Sequence, residues 1–233
     1  AGKEGGLGDR KLIIRVNGLT TKWWQDDMKA VCNAKPDAIL VPKINSEGDV
    51  LSATSMMVHE GGDGIVLWAM LETPLAFLNA GQIAAADPRL ECLVIGTNDL
   101  VKDLRARHVP DRSSVMAALG MGAMAARAYD LIAIDGVYND FKDDEGLKAH
   151  ALQARNMGYD GKSLIHPGQI APVNDVFSPN DAEIAEAKAL IDAFHKAKRQ
   201  NKGVATFKGK MIEELHVIEA ERIIVIANTL GKG

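Results

Sequence analysis

Apolar runs along the chain are short, rich in β-branched residues and regularly spaced, with longer amphipathic stretches between them. LIIRV (12–16), AILVP (38–42), IVLWAML (65–71), CLVIG (92–96), LIAID (131–135) and SLIH (163–166) predict strands. Patterns of helical period around 23–33, 46–58, 74–86, 113–127 and 144–157 predict the helices that separate them. Strands this uniformly apolar need cover on both faces, which is the mark of a parallel sheet. Spacings of about 25–35 residues per βα unit suit a barrel or a doubly wound sheet.

The polar residues that close each run choose between those two. Arg15 and Asn17, Lys43, Glu72, Asn98 and Asp99, Asp135, and His166 follow successive strands. A barrel gathers all C-terminal strand ends at one mouth, where chemistry is built. An open sheet concentrates such groups at one switch point, and no G-x-G-x-x-G follows the first strand. The barrel is the better reading. Six strands do not close a barrel of eight, so either two strands precede Ala1 or the count is wrong.

Past residue 177 the pattern changes. In SPNDAEIAEAKALIDAFHKAKRQ, Ser178 is the expected cap, Pro179 the first-turn residue, and acids fill that turn. A short extended VATFKGKMIE and a final helix follow. The expected organisation is therefore a βα-barrel domain over 1–177 and a C-terminal helical or lid segment over 178–233, able to cover its own site or a neighbour's. AGKEGGLGDR reads as a polar helix end and loop, without an initiator Met.

Composition changes this picture little. The 233 residues are 47% hydrophobic and 25% charged, with a net charge of -4, and the pI is about 5.9. Lys and Arg are scattered, which argues against a nucleic-acid surface but leaves room for a basic pocket that takes a small anion. Cys32 and Cys92 lack metal-ligand spacing and read as reduced, buried thiols of a cytosolic protein. No apolar run approaches the roughly 20 residues of a membrane span, and no signal-peptide pattern is present.

The chemistry centres on LETP and GTND. Thr73 is a natural N-cap and Pro74 suits the first helical position, so Glu72 could simply favour a helix N-terminus. Asp99, just past the next strand, changes the weighing: adjacent parallel strands lie about 4.8 Å apart, so the two carboxylates could share one cation. Oxygen ligands without His or Cys suit Mg²⁺ and make zinc a poor fit. Capping of the following segment is the alternative for Asp99. Arg15 interrupts an apolar strand, where a guanidinium needs a partner: either a substrate carboxylate held by a bidentate pair or an ion pair inside the barrel. Lys43 is a further rim cation, or a solvated one. His166, held extended by Pro167, is either a strand-end hydrogen-bonding residue or a site residue. LGMGA (119–123) reads as close helix packing, Trp23 and Trp24 as docking a helix on the barrel, and Met56 and Met57 as core.

At RVN, PK, LETP, GTNDL, AIDGVYNDFKDDEGL, DGKSLIHPGQI and FKGKMIE the chain resembles the HpcH/HpaI aldolase and citrate lyase β-subunit family. The similarity is strongest to its malyl-CoA, citramalyl-CoA and citryl-CoA lyase branch. It runs in order from about Lys11 to Ala227, and DGKSLIHPGQI with KGKMIE is its most specific part. The resemblance implies a TIM (β/α)8-type barrel of which about two N-terminal strands precede this chain. It also implies a C-terminal segment packed on an adjoining subunit in a homotrimer or homohexamer. The expected location, in keeping with the reduced cysteines, is cytoplasmic, with a mitochondrial one compatible.

By the same resemblance Glu72 and Asp99 hold Mg²⁺, or Mn²⁺ in its place. Arg15 grips the substrate carboxylate or the forming enolate. Arg15, Lys43, Asn98 and His166 bind substrate or the CoA arm, and Glu213 of KMIE reaches a neighbour's active site as a catalytic acid or base. Three positions depart from the family's habit: Asn45 and Asn98 where Glu is common, and Glu213 where Asp is usual.

The expected activity is Mg²⁺-dependent carbon–carbon cleavage of a 3-hydroxyacyl-CoA such as malyl-CoA, giving acetyl-CoA or propionyl-CoA and a 2-oxo acid such as glyoxylate. Arg15 would stabilise the developing charge, and Glu213 would exchange a proton. Citryl-CoA and citramalyl-CoA cleavage stand beside it. A CoA-independent class II pyruvate aldolase and a non-catalytic subunit or paralogue are the competing readings.

Overall fold

The computed structural model describes Gly8, residues 10–200 and residues 203–232. The expectation for the first ten residues lies outside the described part except at Gly8 and Arg10. The chain forms two compact units, 1–170 and 171–233.

In the first unit, β1 (Ile13–Arg15), α1 (Trp24–Ala34), β2 (Ala38–Val41), α2 (Glu47–His59) and β3 (Val66–Leu71) alternate. They are followed by α3 (Pro74–Leu78), α4 (Ala80–Ala85), β4 (Leu90–Ile95), α5 (Thr97–Asp103), α6 (Met116–Ala128), β5 (Ile132–Asp135), α7 (Asp144–Asn156) and β6 (Gly161–Lys162). The six strands pair in sequence order, every pair parallel. A doubly wound sheet reverses its order at a switch point. An unreversed order is that of an arc of a βα barrel, as the strand-end residues predicted.

The middle strands explain the uniform apolar runs. In β3, Leu67, Ala69 and Leu71 are buried on one face, while Val66, Trp68 and Met70 are half-buried on the other. Fully burying a side chain such as Leu67 is worth about 1.5–3 kcal/mol. Cover on the outer face needs close approach. A β-carbon at Gly122 of α6 would lie 2.8 Å from Ile95 Cδ1 of β4, so LGMGA is a packing feature as expected. Met57 and Trp24 are buried, but Met56 is only half-buried, and Trp23 is 53% exposed with Lys22 Nζ 5.1 Å from its ring centroid.

Helix starts follow local chemistry. Ser46 Oγ accepts from the Asp49 N–H, and Asp49 Oδ2 accepts from the Ser46 N–H, a complete capping box for α2. Thr73 Oγ1 caps α3 by accepting from the Ala76 N–H at 3.2 Å, with Pro74 at the first position.

The single helix expected over 74–86 is divided at Asn79 into α3 and α4, and the Asn79 side chain donates to the Asn45 carbonyl at 2.8 Å. The strand expected at 163–166 is instead β6 over Gly161–Lys162. Gln169 gives the reason. Its Oε1 accepts from the N–H groups of Ile165 and His166, tying them into a 3-10 turn at Pro167–Gln169 rather than a ladder.

The second unit contains α8 (Ile170–Phe177), α9 (Asp181–Arg199), the hairpin of β7 (Ala205–Phe207) and β8 (Lys210–Ile212), and α10 (Glu214–Thr229). Asn180, not Ser178, caps α9: its Oδ1 accepts from the Glu183 N–H, and Glu183 Oε2 accepts from the Asn180 N–H. Ser178 instead closes α8, donating its N–H to the Asn174 carbonyl. Lys208 and Gly209 both have positive φ, the condition for a tight two-residue hairpin turn. Ala197, Ala205 and Ile212 form a small core there, flanked by Leu190, Ala193, Phe194 and Phe207.

Candidate metal and substrate site

Because β1 to β4 run parallel, their C-terminal ends lie on one side of the sheet, and the residues just beyond them surround a cavity of about 500 Å³. Arg15 ends β1 and Asn17 follows it, Lys43 and Asn45 follow β2, Glu72 follows β3 and Asp99 follows β4.

Glu72 is 7% exposed, and Thr73 rather than Glu72 caps the following helix. Its Oε1 accepts the Lys43 main-chain N–H at 2.9 Å. The carboxylate thus bonds across to the turn after β2, while Thr73 supplies the cap of α3. Burial pushes the Glu72 carboxyl above the ordinary range, and the nearby negative charge of Asp99 adds to this. The Lys43 N–H and the charges of Lys43 and Arg15 oppose the rise. A buried carboxylate raised in part by a second carboxylate beside it favours a cation between the two.

Lys43 reaches both acids. Besides its N–H to Glu72, its Nζ stands 3.4 Å from Asp99 Oδ2. The backbone there has φ of 56°, a left-handed conformation uncommon for a residue with a side chain. Asn45 supports that turn: its Nδ2 donates to the Lys43 carbonyl at 2.9 Å, and its Oδ1 accepts from Thr73 Oγ1. Asn45, where the resemblance implies Glu, thus joins the Lys43 turn to the cap of α3 without adding charge.

Arg15 is exposed, lines the cavity and forms no ion pair among the described residues. The alternative of an ion pair inside the sheet is not what is found. The buried ion cluster lies elsewhere, at Asp135, which sequence grouped with the mouth residues. Asp135 is fully buried, with both oxygens accepting from Arg112 Nη1 at 2.8 and 2.7 Å and Oδ2 accepting from Lys162 Nζ at 2.7 Å. Lys162 also donates to the Gly136 carbonyl. Nothing in the local pattern around Arg112 or Lys162 distinguishes them from solvated cations.

Asn98 and Asn139 exchange two amide hydrogen bonds, at 3.0 and 2.8 Å, joining the turn that carries Asp99 to the loop after β5. His166 is not among the residues lining the cavity. It caps the 3-10 turn through Nδ1, which accepts from the Gly168 N–H at 3.0 Å, and its ring stacks on Phe141 with centroids 5.0 Å apart. Glu213 belongs to the second unit, where its main-chain N–H donates to His216 Nδ1 at the start of α10. Gly96 was missed in the sequence. It stands against Glu72, with room for no side chain.

The donor set bears on which metal could sit here. Among the described residues no group of three or more His, Cys, Asp or Glu side chains gathers. A paired Glu and Asp facing an open cavity fit a hard cation that keeps waters and takes substrate oxygens, which is the behaviour of Mg²⁺. They do not fit the closed N/S set of structural zinc.

The model of the HpcH/HpaI aldolase/citrate lyase family matches residues 7–167. The chain belongs to this family. Among its relatives, a (3S)-malyl-CoA thioesterase of Cereibacter sphaeroides is 48% identical over 224 residues, covering 96% of this chain and 76% of that protein. A citrate lyase subunit beta of Leuconostoc mesenteroides is 32% identical over 227 residues, covering 95% of this chain and 75% of that one. The crystal structure of the CitE protein of Mycobacterium tuberculosis in complex with magnesium, acetoacetate and coenzyme A matches with a TM-score of 0.77 at 26% identity, covering 93% of this chain and 78% of that one. The family members are lyases or related enzymes acting on CoA thioesters, and their α/β fold agrees with the six-stranded arc of a TIM-type barrel seen here.

Proposed function

We propose that this chain is a Mg²⁺-dependent enzyme acting on a malyl-CoA-type 3-hydroxyacyl thioester, with Glu72 and Asp99 as the metal acids. The observation that carries the reading is the buried Glu72 carboxylate facing a cavity it shares with Asp99 and Arg15. A bound Mg²⁺ would polarise a substrate oxygen and lower the pKa of a coordinated hydroxyl.

The chain's own residues then bind and orient. Glu72 is fixed by the Lys43 N–H. The Arg15 guanidinium, free of protein partners among the described residues, takes the planar carboxylate of the substrate or the charge developing on the thioester oxygen.

Which bond breaks separates two readings. The similarity at 48% to a named malyl-CoA thioesterase favours hydrolysis. There the water oxygen bonds to the thioester carbon, the C–S bond breaks, and CoA leaves as its thiol with the water's proton. The family relation to citrate lyase favours cleavage between carbons. In that case the 3-hydroxyl loses its proton, the C–C bond breaks, and the electron pair enters an acetyl-CoA enolate that is protonated at carbon. Glu213, from the C-terminal unit of a neighbouring copy in a homotrimer or homohexamer, is the candidate proton carrier in the second reading.

The test is direct. Malyl-CoA is incubated with the protein, with EDTA and then with Mg²⁺ restored, and the products are separated by chromatography. Malate with free CoA supports hydrolysis, and acetyl-CoA with glyoxylate supports carbon–carbon cleavage. Absence of either product with Mg²⁺ present rejects the substrate class.

A further inference from the structure

Lys43 touches both acids of the candidate site through different atoms, and the two contacts have different chemistry. The N–H to Glu72 Oε1 is a main-chain bond, held by the left-handed turn at Lys43 and by the Asn45 amide on the Lys43 carbonyl. It survives any change of side chain. The contact between Nζ and Asp99 Oδ2, at 3.4 Å, is an ion pair whose Lys43 side chain is 57% exposed and Asp99 side chain 36% exposed. It is long, half-solvated and easily exchanged.

A divalent cation shared by Glu72 and Asp99 would stand beside the same Asp99 carboxylate that this ammonium faces. Two cations a few ångströms apart at one carboxylate repel. We infer that Lys43 is a positioning residue that also limits metal affinity: its N–H aims Glu72, and its ammonium balances Asp99 until a divalent cation displaces it. The displaced ammonium remains at the cavity rim beside Arg15, where an anionic substrate can use it.

This inference rests on the reading of Glu72 and Asp99 as metal acids. Its signature is a gain where a merely structural role would give a loss. Removing the ammonium while keeping the backbone should tighten metal binding.

The experiment is calorimetric titration with Mg²⁺ alone, without substrate, on the wild type, Lys43→Met and Lys43→Arg. Far-ultraviolet circular dichroism confirms that each is folded. Lys43→Met should bind Mg²⁺ about two- to fivefold more tightly, the factor an exposed ion pair is worth, and Lys43→Arg should match the wild type. Equal or weaker binding by Lys43→Met, with the wild type binding Mg²⁺, overturns the role of Lys43 and leaves the metal acids standing. No Mg²⁺ binding by the wild type overturns both.

Discussion

Gly96 faces Glu72 so closely that a β-carbon added at position 96 would lie 2.8 Å from Glu72 Oε2. The end of β4 is therefore shaped around the carboxylate that follows β3. Gly96→Ala should push Glu72 out of its bond with the Lys43 N–H and weaken Mg²⁺ binding by at least about tenfold, the cost of losing one well-placed charge-assisted hydrogen bond. Calorimetry on the folded variant checks this, and unchanged affinity would show that Glu72 does not hold the ion.

Arg15 is the exposed cation of the cavity without an ion-pair partner among the described residues. Arg15→Gln should lower turnover of malyl-CoA about 100-fold, as removal of one charge-stabilising donor typically does. Mg²⁺ affinity, measured separately, should change little. Loss of both together would mean that Arg15 acts on the metal acids rather than on substrate.

The fully buried Asp135 is tied to Arg112 and Lys162, and burial lowers the Lys162 pKa against the pull of Asp135. Asp135→Asn leaves both cations buried without their counter-charge and should destabilise the first unit by about 3–5 kcal/mol. Urea denaturation followed by circular dichroism provides the measurement. A shift near zero would mean that water reaches the cluster.

Hydrogen bonds from the Arg89 side chain hold the Asp87 carboxyl down from its ordinary 3.8 to about 2, against the opposing effect of burial. A carboxyl whose folded pKa is depressed contributes stability above its unfolded pKa and loses it as pH falls through the folded one. The difference in unfolding free energy between wild type and Asp87→Asn should thus be constant near neutrality and shrink from about pH 4 to pH 2. A difference that stays flat across that range would show that the Asp87 charge contributes nothing to folding.

Much of the first unit was legible because its cues are local. Apolar runs bounded by turn residues marked β2, β3 and β4, and Thr73-Pro74 and Ser46 marked the starts of α3 and α2. Residues a turn apart decide those features, so neighbouring letters suffice. The strand at 163–166 failed for the complementary reason, since the Gln169 side chain takes the N–H groups a ladder would have used. Helix α9 starts two residues later than expected because Ser178 and Asn180 are both good caps, and the Ser178 main chain still belongs to the end of α8.

The sequence by itself determined the family, the strand–helix alternation and the two acids that follow consecutive strands. Tertiary structure alone decided what those acids touch. It turned Glu72 toward the Lys43 N–H, set Lys43 Nζ on Asp99, and buried Asp135 under Arg112 and Lys162, although all three carboxylates follow similar apolar strands. A side chain's charge and its place on a strand are written locally. Its solvation and its partners depend on which residues the sheet register brings beside it from 20 or more positions away, as Glu72 and Lys43 are, 29 apart.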